Sequence, residues 1–87
     1  MDDRRKRLTL RAWRRGFREM DLILGAFADS HAAGLTELEL AAFEALLDAP
    51  DQDAYDWILG RVPPPEAHDS ALLARVRAFA AAGVLPS

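Results

Sequence analysis

The stretch TELELAAFEALLDAP, residues 36–50, predicts a helix with a defined start and a defined end. Thr36 and Glu39 have the Thr-x-x-Glu spacing of a capping box, in which each side chain bonds the other residue's backbone amide. Pro50 ends the helix, because proline has no backbone N–H to donate. The apolar side chains between these signals are expected on its buried side: Leu38, Ala42, Phe43, Leu46 and Leu47.

Two further helices are predicted upstream of this stretch. The first covers about residues 4–15 and is expected to bury Leu10, Trp13 and Phe17, which fall at positions i, i+3 and i+7. The second is expected to end at Gly34, because glycine tolerates the left-handed conformation that often follows a helix. Four apolar side chains are expected on one face of this second helix: Met20, Ile23, Leu24 and Phe27.

A short fourth helix is predicted downstream, with Asp51 as its N-cap and Gly60 at its end. Trp57 of this helix is expected in the core, and it would be partly exposed if neither the third nor the fifth helix covered it. Residues 63–65 are three prolines, which predict an extended connector.

The last helix is predicted to begin near residues 66–69, with Ser70 as part of its start. Gly83 is expected to cap it, and Pro86 prevents its continuation. Its apolar face is expected to consist of Leu72, Leu73, Val76, Phe79 and Ala80. Five helices without strand signals predict an all-α fold, a compact five-helix bundle that forms a single domain over residues 1–87 and reaches to about residue 83.

The composition of the 87 residues limits the chemistry that is expected. Cysteine is absent, which excludes disulfides and cysteine-based zinc sites. His31 and His68 lack the spacing of metal ligands, so neither a metal site nor catalytic residues are expected. No apolar run approaches the roughly 20 residues that span a bilayer. We therefore expect a cytoplasmic protein without membrane insertion.

The net charge of −3 is unevenly distributed along the chain. Residues 1–18 contain eight basic and two acidic residues, a net charge of +6, whereas residues 19–87 carry −9. Four arginines are expected to form a continuous basic stripe along the first helix: Arg7, Arg11, Arg14 and Arg18. Such a stripe suits an acidic partner, which is a nucleic acid, an anionic cofactor or an acidic protein surface.

The segment between the first two helices has two interpretations. In the first, it is a helix corner in which Gly16 ends one helix or caps the next and Glu19, at position N3, bonds the capping residue's amide. The negative charge of Asp21 in the first turns of the second helix would then interact favourably with the positive end of the helix dipole. In the second interpretation, the segment is a recognition surface, because a corner does not require the four arginines around it: Arg11, Arg14, Arg15 and Arg18.

Three motifs in the chain resemble a known family. They are Arg15-Gly16-x-x-Glu19-x-Asp21, Phe43-x-x-Leu46-Leu47-x-x-x-Asp51 and Tyr55-x-Trp57-Ile58-Leu59-x-Gly60. Together they resemble the succinate dehydrogenase assembly factors, small helical proteins also called flavinators or FAD assembly factors. The resemblance implies a chaperone, and not an enzyme, that binds the flavoprotein subunit of succinate dehydrogenase or of fumarate reductase and promotes covalent attachment of FAD to it.

The resemblance also implies which residues bind the partner. Carried over by position, these are Arg15, Gly16, Glu19 and Asp21, with Arg14 added beside them. Arg11 and Arg18 are included only because they belong to the basic stripe. No stably bound cofactor is expected, since the FAD belongs to the partner.

A small nucleic-acid-binding module, or an antitoxin-type binding module, is the alternative function. An arginine-rich first helix is compatible with nucleic-acid binding. Glu19 and Asp21 follow the basic stripe directly, and the rest of the chain is acidic, which would repel phosphate. We therefore expect a protein partner and no nucleic acid.

Overall fold

The computed structural model describes residues 2–84, and within this range the chain forms five α-helices and no β-strand. The helices are α1 (Asp3–Trp13), α2 (Arg18–His31), α3 (Glu37–Asp48), α4 (Asp51–Leu59) and α5 (Ala71–Phe79). The Cα radius of gyration is 11.7 Å, close to the value of about 12 Å for a folded chain of this length. The predicted all-α, compact five-helix bundle is confirmed. None of the helices in the described range is long and apolar enough to cross a membrane.

Two helices begin at the side-chain caps that the sequence predicts. At α3, the N–H of Glu39 donates to Oγ1 of Thr36 at 3.2 Å, and the N–H of Thr36 donates to Oε1 of Glu39 at 2.9 Å. The capping box is therefore complete. At α5, the N–H of Leu73 donates to the hydroxyl of Ser70 at 3.1 Å. Both caps supply acceptors for amides that have no partner within their own helix.

Two of the three glycines expected to end helices, Gly34 and Gly60, behave differently from each other. Gly60 has a left-handed backbone with φ of +75° and ends α4 as predicted. Gly34 does not adopt a positive φ, so its predicted role as a left-handed cap is wrong. After His31 the chain instead forms a 3₁₀ turn, Ala32–Gly34, which leads to α3 without any residue in the left-handed conformation.

Two predicted helix starts are wrong by a few residues. Pro50 and not Asp51 occupies the N-cap position of α4, so the side chain of Asp51 is available for another contact. Glu66–His68 forms a separate 3₁₀ turn, and α5 begins only after it. Gly83 has the expected left-handed φ, +98°, within the turn that closes the described chain. Pro86 lies outside the described residues.

The face of α2 that the sequence predicts as buried lies at the centre of the bundle. All four of its predicted residues are 0–1 % exposed. The ring centre of Phe27 lies 5.6 Å from that of Phe43 in α3 and 5.6 Å from that of Phe79 in α5. This single face of α2 therefore joins three helices.

The predicted apolar side of α1 is wrong. Leu10 is 53 % exposed and Trp13 is 37 % exposed, whereas Leu8 and Ala12 are buried. Phe17 lies beyond the end of the helix, so the expected stripe of three residues is interrupted. Because residues two apart in a helix point in nearly opposite directions, burial of Leu8 and Ala12 turns Leu10 toward solvent.

The start of α3 shows a similar shift. Leu38 was expected in the core but is 84 % exposed, and Leu40 is fully buried in its place. Phe43, Leu46 and Leu47 are buried as predicted. Leu40 lies one turn before Phe43, so it extends the same face of the helix, whereas Leu38 points away from that face.

Trp13 joins the end of α1 to α2 although its side chain is half-exposed. A Cβ atom added to Gly25 of α2 would lie 2.2 Å from Cδ2 of Trp13, so the indole ring occupies the space that a side chain would fill. The indole N–H also donates to Oδ2 of Asp29 at 3.1 Å. The ring is thereby held against α2 by both packing and a hydrogen bond.

Replacement of Gly25 by alanine is therefore expected to destabilise the bundle. The new methyl group must displace a rigid ring, and forcing extra atoms into a packed contact costs about 1–3 kcal/mol of unfolding free energy. Urea denaturation of Gly25→Ala measures the loss. Gly34→Ala is the matched control, because a Cβ atom there meets nothing within 4 Å and φ is not positive. Equal stabilities for the two variants would contradict the proposed close contact.

Candidate functional site

The turn between α1 and α2, residues 14–17, contains the glycine of the Arg15-Gly16-x-x-Glu19 motif. Gly16 has a left-handed backbone with φ of +81°, a conformation that glycine adopts without steric cost. It is exposed, and a Cβ atom added to it would meet nothing within 4 Å. The turn therefore presents bare backbone to solvent between two helices.

The helix-corner interpretation is correct in its outline, but the capping role expected of Glu19 is wrong. Phe17 occupies the N-cap position of α2, so Glu19 is the second residue of the helix, and its side chain is exposed. No side chain caps α2; Asp21 instead closes the turn that precedes it, since its Oδ1 accepts the backbone N–H of Arg15 at 2.8 Å. The acidic group that closes the turn therefore lies two positions later than expected.

The side chain of Arg15 points into the protein and is only 12 % exposed. Its Nε and Nη2 atoms lie 2.6 and 2.5 Å from Oδ1 of Asp51 at the start of α4. Nη1 donates to the carbonyl of Leu47, and Nη2 donates to the carbonyl of Ala49 at 3.2 Å, both at the end of α3. Arg15 thus joins the α1–α2 turn to the corner between α3 and α4.

The neighbouring aromatic residue makes a second contact with α4. The ring centre of Phe17 lies 4.8 Å from that of Tyr55, with a tilt of 55° between the planes. On the tyrosine ring, Cζ of Arg61 lies 5.5 Å from the centroid, within the range of a cation–π contact. Phe17 and Tyr55 are both partly buried beside the core.

Intramolecular ion pairs neutralise half of the basic residues near the N-terminus. Four arginines pair with carboxylates: Arg4 with Glu37 and Glu44, Arg5 with Asp2, Arg11 with Asp48, and Arg15 with Asp51. Four basic residues make no salt bridge within residues 2–84: Lys6, Arg7, Arg14 and Arg18. Less positive charge is therefore available for a nucleic acid than the sequence composition suggests.

The predicted basic stripe is not continuous. Arg14 is the C-cap of α1 and Arg18 is the first residue of α2, so the turn separates them from the helix that carries Arg7. Arg11 is engaged with Asp48, with Nη2 2.5 Å from Oδ1. The stripe fails because the helix ends at Trp13, two residues earlier than expected.

An exposed surface surrounds the turn, and we call it the junction surface. It consists of the exposed side chains and backbone between residues 10 and 19: Leu10, Arg11, Trp13, Arg14, Gly16, Arg18 and Glu19. An open groove of about 410 Å³ lies on it and is lined by Leu10, Arg11, Arg14 and Arg15. Exposed apolar side chains next to arginines are typical of the residues that anchor protein–protein interfaces.

The two histidines serve as packing residues in the structure. His31 packs beside the rings of Phe27 and Phe79, at centroid distances of 4.7 and 5.7 Å. His68 stacks on Trp57 at 4.8 Å, and Trp57 is buried in the core as expected. Over residues 2–84, no group of three or more metal-binding side chains comes together.

The structure thus brings together most, but not all, of the predicted partner-binding residues. Gly16 and Glu19 lie on the junction surface, together with three of the arginines: Arg11, Arg14 and Arg18. Arg15 and Asp21 instead make contacts within the chain. The contacts of Asp51 with Arg15 and of Tyr55 with Phe17 are not predicted from the sequence. The spacing of four residues between Asp51 and Tyr55, which places them on one face of a helix, was the available signal.

Hydrogen bonds shift the pKa values of two glutamates in α3. Hydrogen bonds from Arg4 lower the pKa of Glu44 below its ordinary value, and the same pair raises the pKa of Arg4. The backbone N–H of Thr36 lowers the pKa of Glu39, and a hydrogen bond from Arg75 lowers it further. Both carboxylates are therefore stabilised in their charged form by the fold.

The chain is similar to a group of proteins with a shared assembly role. The sequence model of a family described as "Flavinator of succinate dehydrogenase" matches residues 6–80. The protein named "FAD assembly factor SdhE" of Acetobacter pasteurianus is 40% identical over 73 residues, which cover 84% of this chain and 67% of the relative. The SdhE of Coxiella burnetii is 36% identical over 64 residues, covering 74% of this chain and 78% of the relative.

A eukaryotic relative shows the same similarity. The mitochondrial succinate dehydrogenase assembly factor 2 of Dictyostelium discoideum is 38% identical over 73 residues. The match covers 84% of this chain but 52% of the relative, so the chain spans about half of that protein's length. These relatives are named as assembly factors and not as enzymes, in agreement with the expectation from the motifs.

The two shifted glutamates predict a loss of stability in acid. Because their folded-state pKa values lie below the ordinary value of 4.5, the unfolded chain takes up protons first as the pH falls. Unfolding free energies from urea denaturation at about pH 7 and about pH 3 measure the loss. Glu44→Gln should make the difference smaller, since this variant lacks one of the two shifted groups. Glu66→Gln is the control, because the side chain of Glu66 makes no hydrogen bond in residues 2–84, and it should leave the difference between the two pH values unchanged. Equal losses of stability in the unaltered protein and in both variants would refute the assignment of the shift to Glu44.

Proposed function

The chain belongs to the family of succinate dehydrogenase flavinators, and from this premise we propose that it binds the flavoprotein subunit of succinate dehydrogenase and promotes covalent attachment of FAD to it. The flavoprotein subunit of fumarate reductase is the alternative partner. The proposal rests on one observation in particular. Gly16 and Glu19 are exposed, in a chain whose family is described as a flavinator of succinate dehydrogenase.

The junction surface has the properties required of a docking site for a protein. Gly16 allows the partner's backbone or a ring to approach closely, because it has no side chain. Arg14 and Arg18 lie on either side of it and make no salt bridge within the described chain, so they are available to acidic groups. Leu10 and Trp13 add apolar area that a partner would remove from water.

The proposed action is that of a chaperone. Joining FAD to a histidine of the flavoprotein requires the histidine and the flavin ring to be held in line. A bound helper contributes by stabilising the flavoprotein in this arrangement, while the flavoprotein itself makes the bond. No cofactor is assigned to the helper, since the FAD belongs to its partner.

Co-expression of the flavoprotein subunit with and without this chain tests the proposal. After denaturation, fluorescence of the flavoprotein band in a gel reports covalently attached flavin alone. We expect strong fluorescence only when the chain is present. Equal fluorescence in both cases would overturn the proposed function.

Substitutions at Gly16 test the position of the docking site. Gly16→Ala and Gly16→Arg both force a side chain into the left-handed region, at a cost of about 1–2 kcal/mol in stability. Only Gly16→Arg adds a long cation that obstructs the partner, so it should weaken binding by about tenfold or more relative to Gly16→Ala. Titration of the flavoprotein against each variant measures the difference.

Gly83→Arg serves as the matched control for this substitution. Gly83 also has a positive φ and open space around it, but it lies at the other end of the described chain. Gly83→Arg should retain normal partner affinity. Equal loss of binding in Gly83→Arg and Gly16→Arg would contradict a docking site at the turn.

A further inference from the structure

Resting on the proposed function, we propose that Asp51 and Tyr55 of α4 are positioning residues that hold the Gly16 turn in its docking conformation. In this assignment Arg15 acts through Asp51 and does not contact the partner. Gly16 and Glu19 make the docking contacts, and the first turn of α4 sets their geometry.

The geometry of α4 is the first argument. Asp51 and Tyr55 are separated by one helical turn, so their side chains lie on the same face. Arg15 contacts the first of them and Phe17 contacts the second. The residues immediately before and after Gly16 are thus anchored to one face of one helix, and Gly16 between them is left exposed to solvent.

The hydrogen bonding of Arg15 is the second argument. Its guanidinium reaches a carboxylate and two backbone carbonyls, of Leu47 and Ala49, and is largely buried while doing so. The planar, forked guanidinium can serve these acceptors at once, which the single ammonium of a lysine does not. A direct contact between this group and a partner would first require several of these charged hydrogen bonds to break.

The conformational freedom of glycine explains why anchors are needed. A glycine turn populates positive and negative φ about equally when it is unrestrained. Only a fraction of such turns would be ready to bind, and the apparent affinity for a partner falls in proportion to that fraction. The two anchors on α4, together with the bond from the Arg15 amide to Asp21, select one conformation before binding.

Two substitutions and two controls separate positioning from general stability. Asp51→Ala removes the carboxylate that accepts from Arg15. Its control is Asp53→Ala, in the same helical turn, because the side chain of Asp53 makes no hydrogen bond or ion pair within residues 2–84. Tyr55→Ala removes the ring that Phe17 contacts. Its control Tyr55→Phe keeps the ring and loses only a hydroxyl that makes no hydrogen bond in the described chain.

Each variant is titrated into a fixed amount of purified, FAD-loaded flavoprotein subunit, and covalently attached flavin is measured. The readout is the amount of the variant at which covalent flavin reaches half of its maximal level. We expect Asp51→Ala and Tyr55→Ala to raise this amount about tenfold, as a fall of the competent fraction to a tenth would do. The maximal level at saturation should stay unchanged, because the turn still visits the docking conformation. Asp53→Ala and Tyr55→Phe should behave as the unaltered protein.

Hydrogen exchange of the free chain provides a second measurement that needs no partner. The amide of Arg15, which donates to Asp21, should exchange faster in Asp51→Ala and Tyr55→Ala, while amides in the middle of α2 stay protected. Unchanged exchange at Arg15 in both variants would overturn the proposal, as would a lowered maximal level of flavin with an unchanged half-maximal amount. If the unaltered chain itself fails to raise covalent flavin, the proposed function is wrong, and the exchange measurement alone then decides whether α4 holds the turn.

Discussion

Burial of one face of α2 is the constraint on which the rest of the bundle depends. Removal of apolar area from water is the largest favourable term in folding, and this face is fully buried. Phe27 contacts aromatic rings of α3 and α5, and Gly25 admits the indole of Trp13 from α1. Once α1 lies against α2 and α3 lies against α1 and α5, the turn between α1 and α2 is brought to the corner where α3 ends and α4 begins. The position of the junction surface therefore follows from the way the helices pack against one another.

The arginines near the N-terminus belong to the fold as much as to any docking surface. Arg4, Arg5, Arg11 and Arg15 all bond to carboxylates. Exposed pairs of this kind contribute little to stability, because water screens them and the long side chains lose entropy. Arg15 differs, since it is largely buried and each of its contacts places one element against another.

Local signals predicted some helix boundaries correctly and missed others by a few residues, and periodicity predicted the buried faces less well. The capping box at Thr36 and the left-handed Gly60 depend only on residues within one or two turns, so their neighbours in sequence suffice. Leu10 and Leu38 were assigned to the core because each belongs to an apolar stripe at helical spacing. A short helix with leucines or alanines on two sides has two such stripes, and only its packing partner decides which one is buried.

The sequence by itself determined that this protein is a bundle of five helices and that Gly16 lies at the corner between the first two. Those features follow from hydrophobic spacing, caps and glycine, which act over a few residues. The tertiary structure alone decided that Arg15 points inward and that Asp21 closes the turn. It also brought Asp51, 36 residues from Arg15 in the chain, and Tyr55 into contact with the residues on either side of Gly16. A guanidinium bonds whichever acceptors the fold brings within reach, and sequence spacing does not encode which acceptors those are.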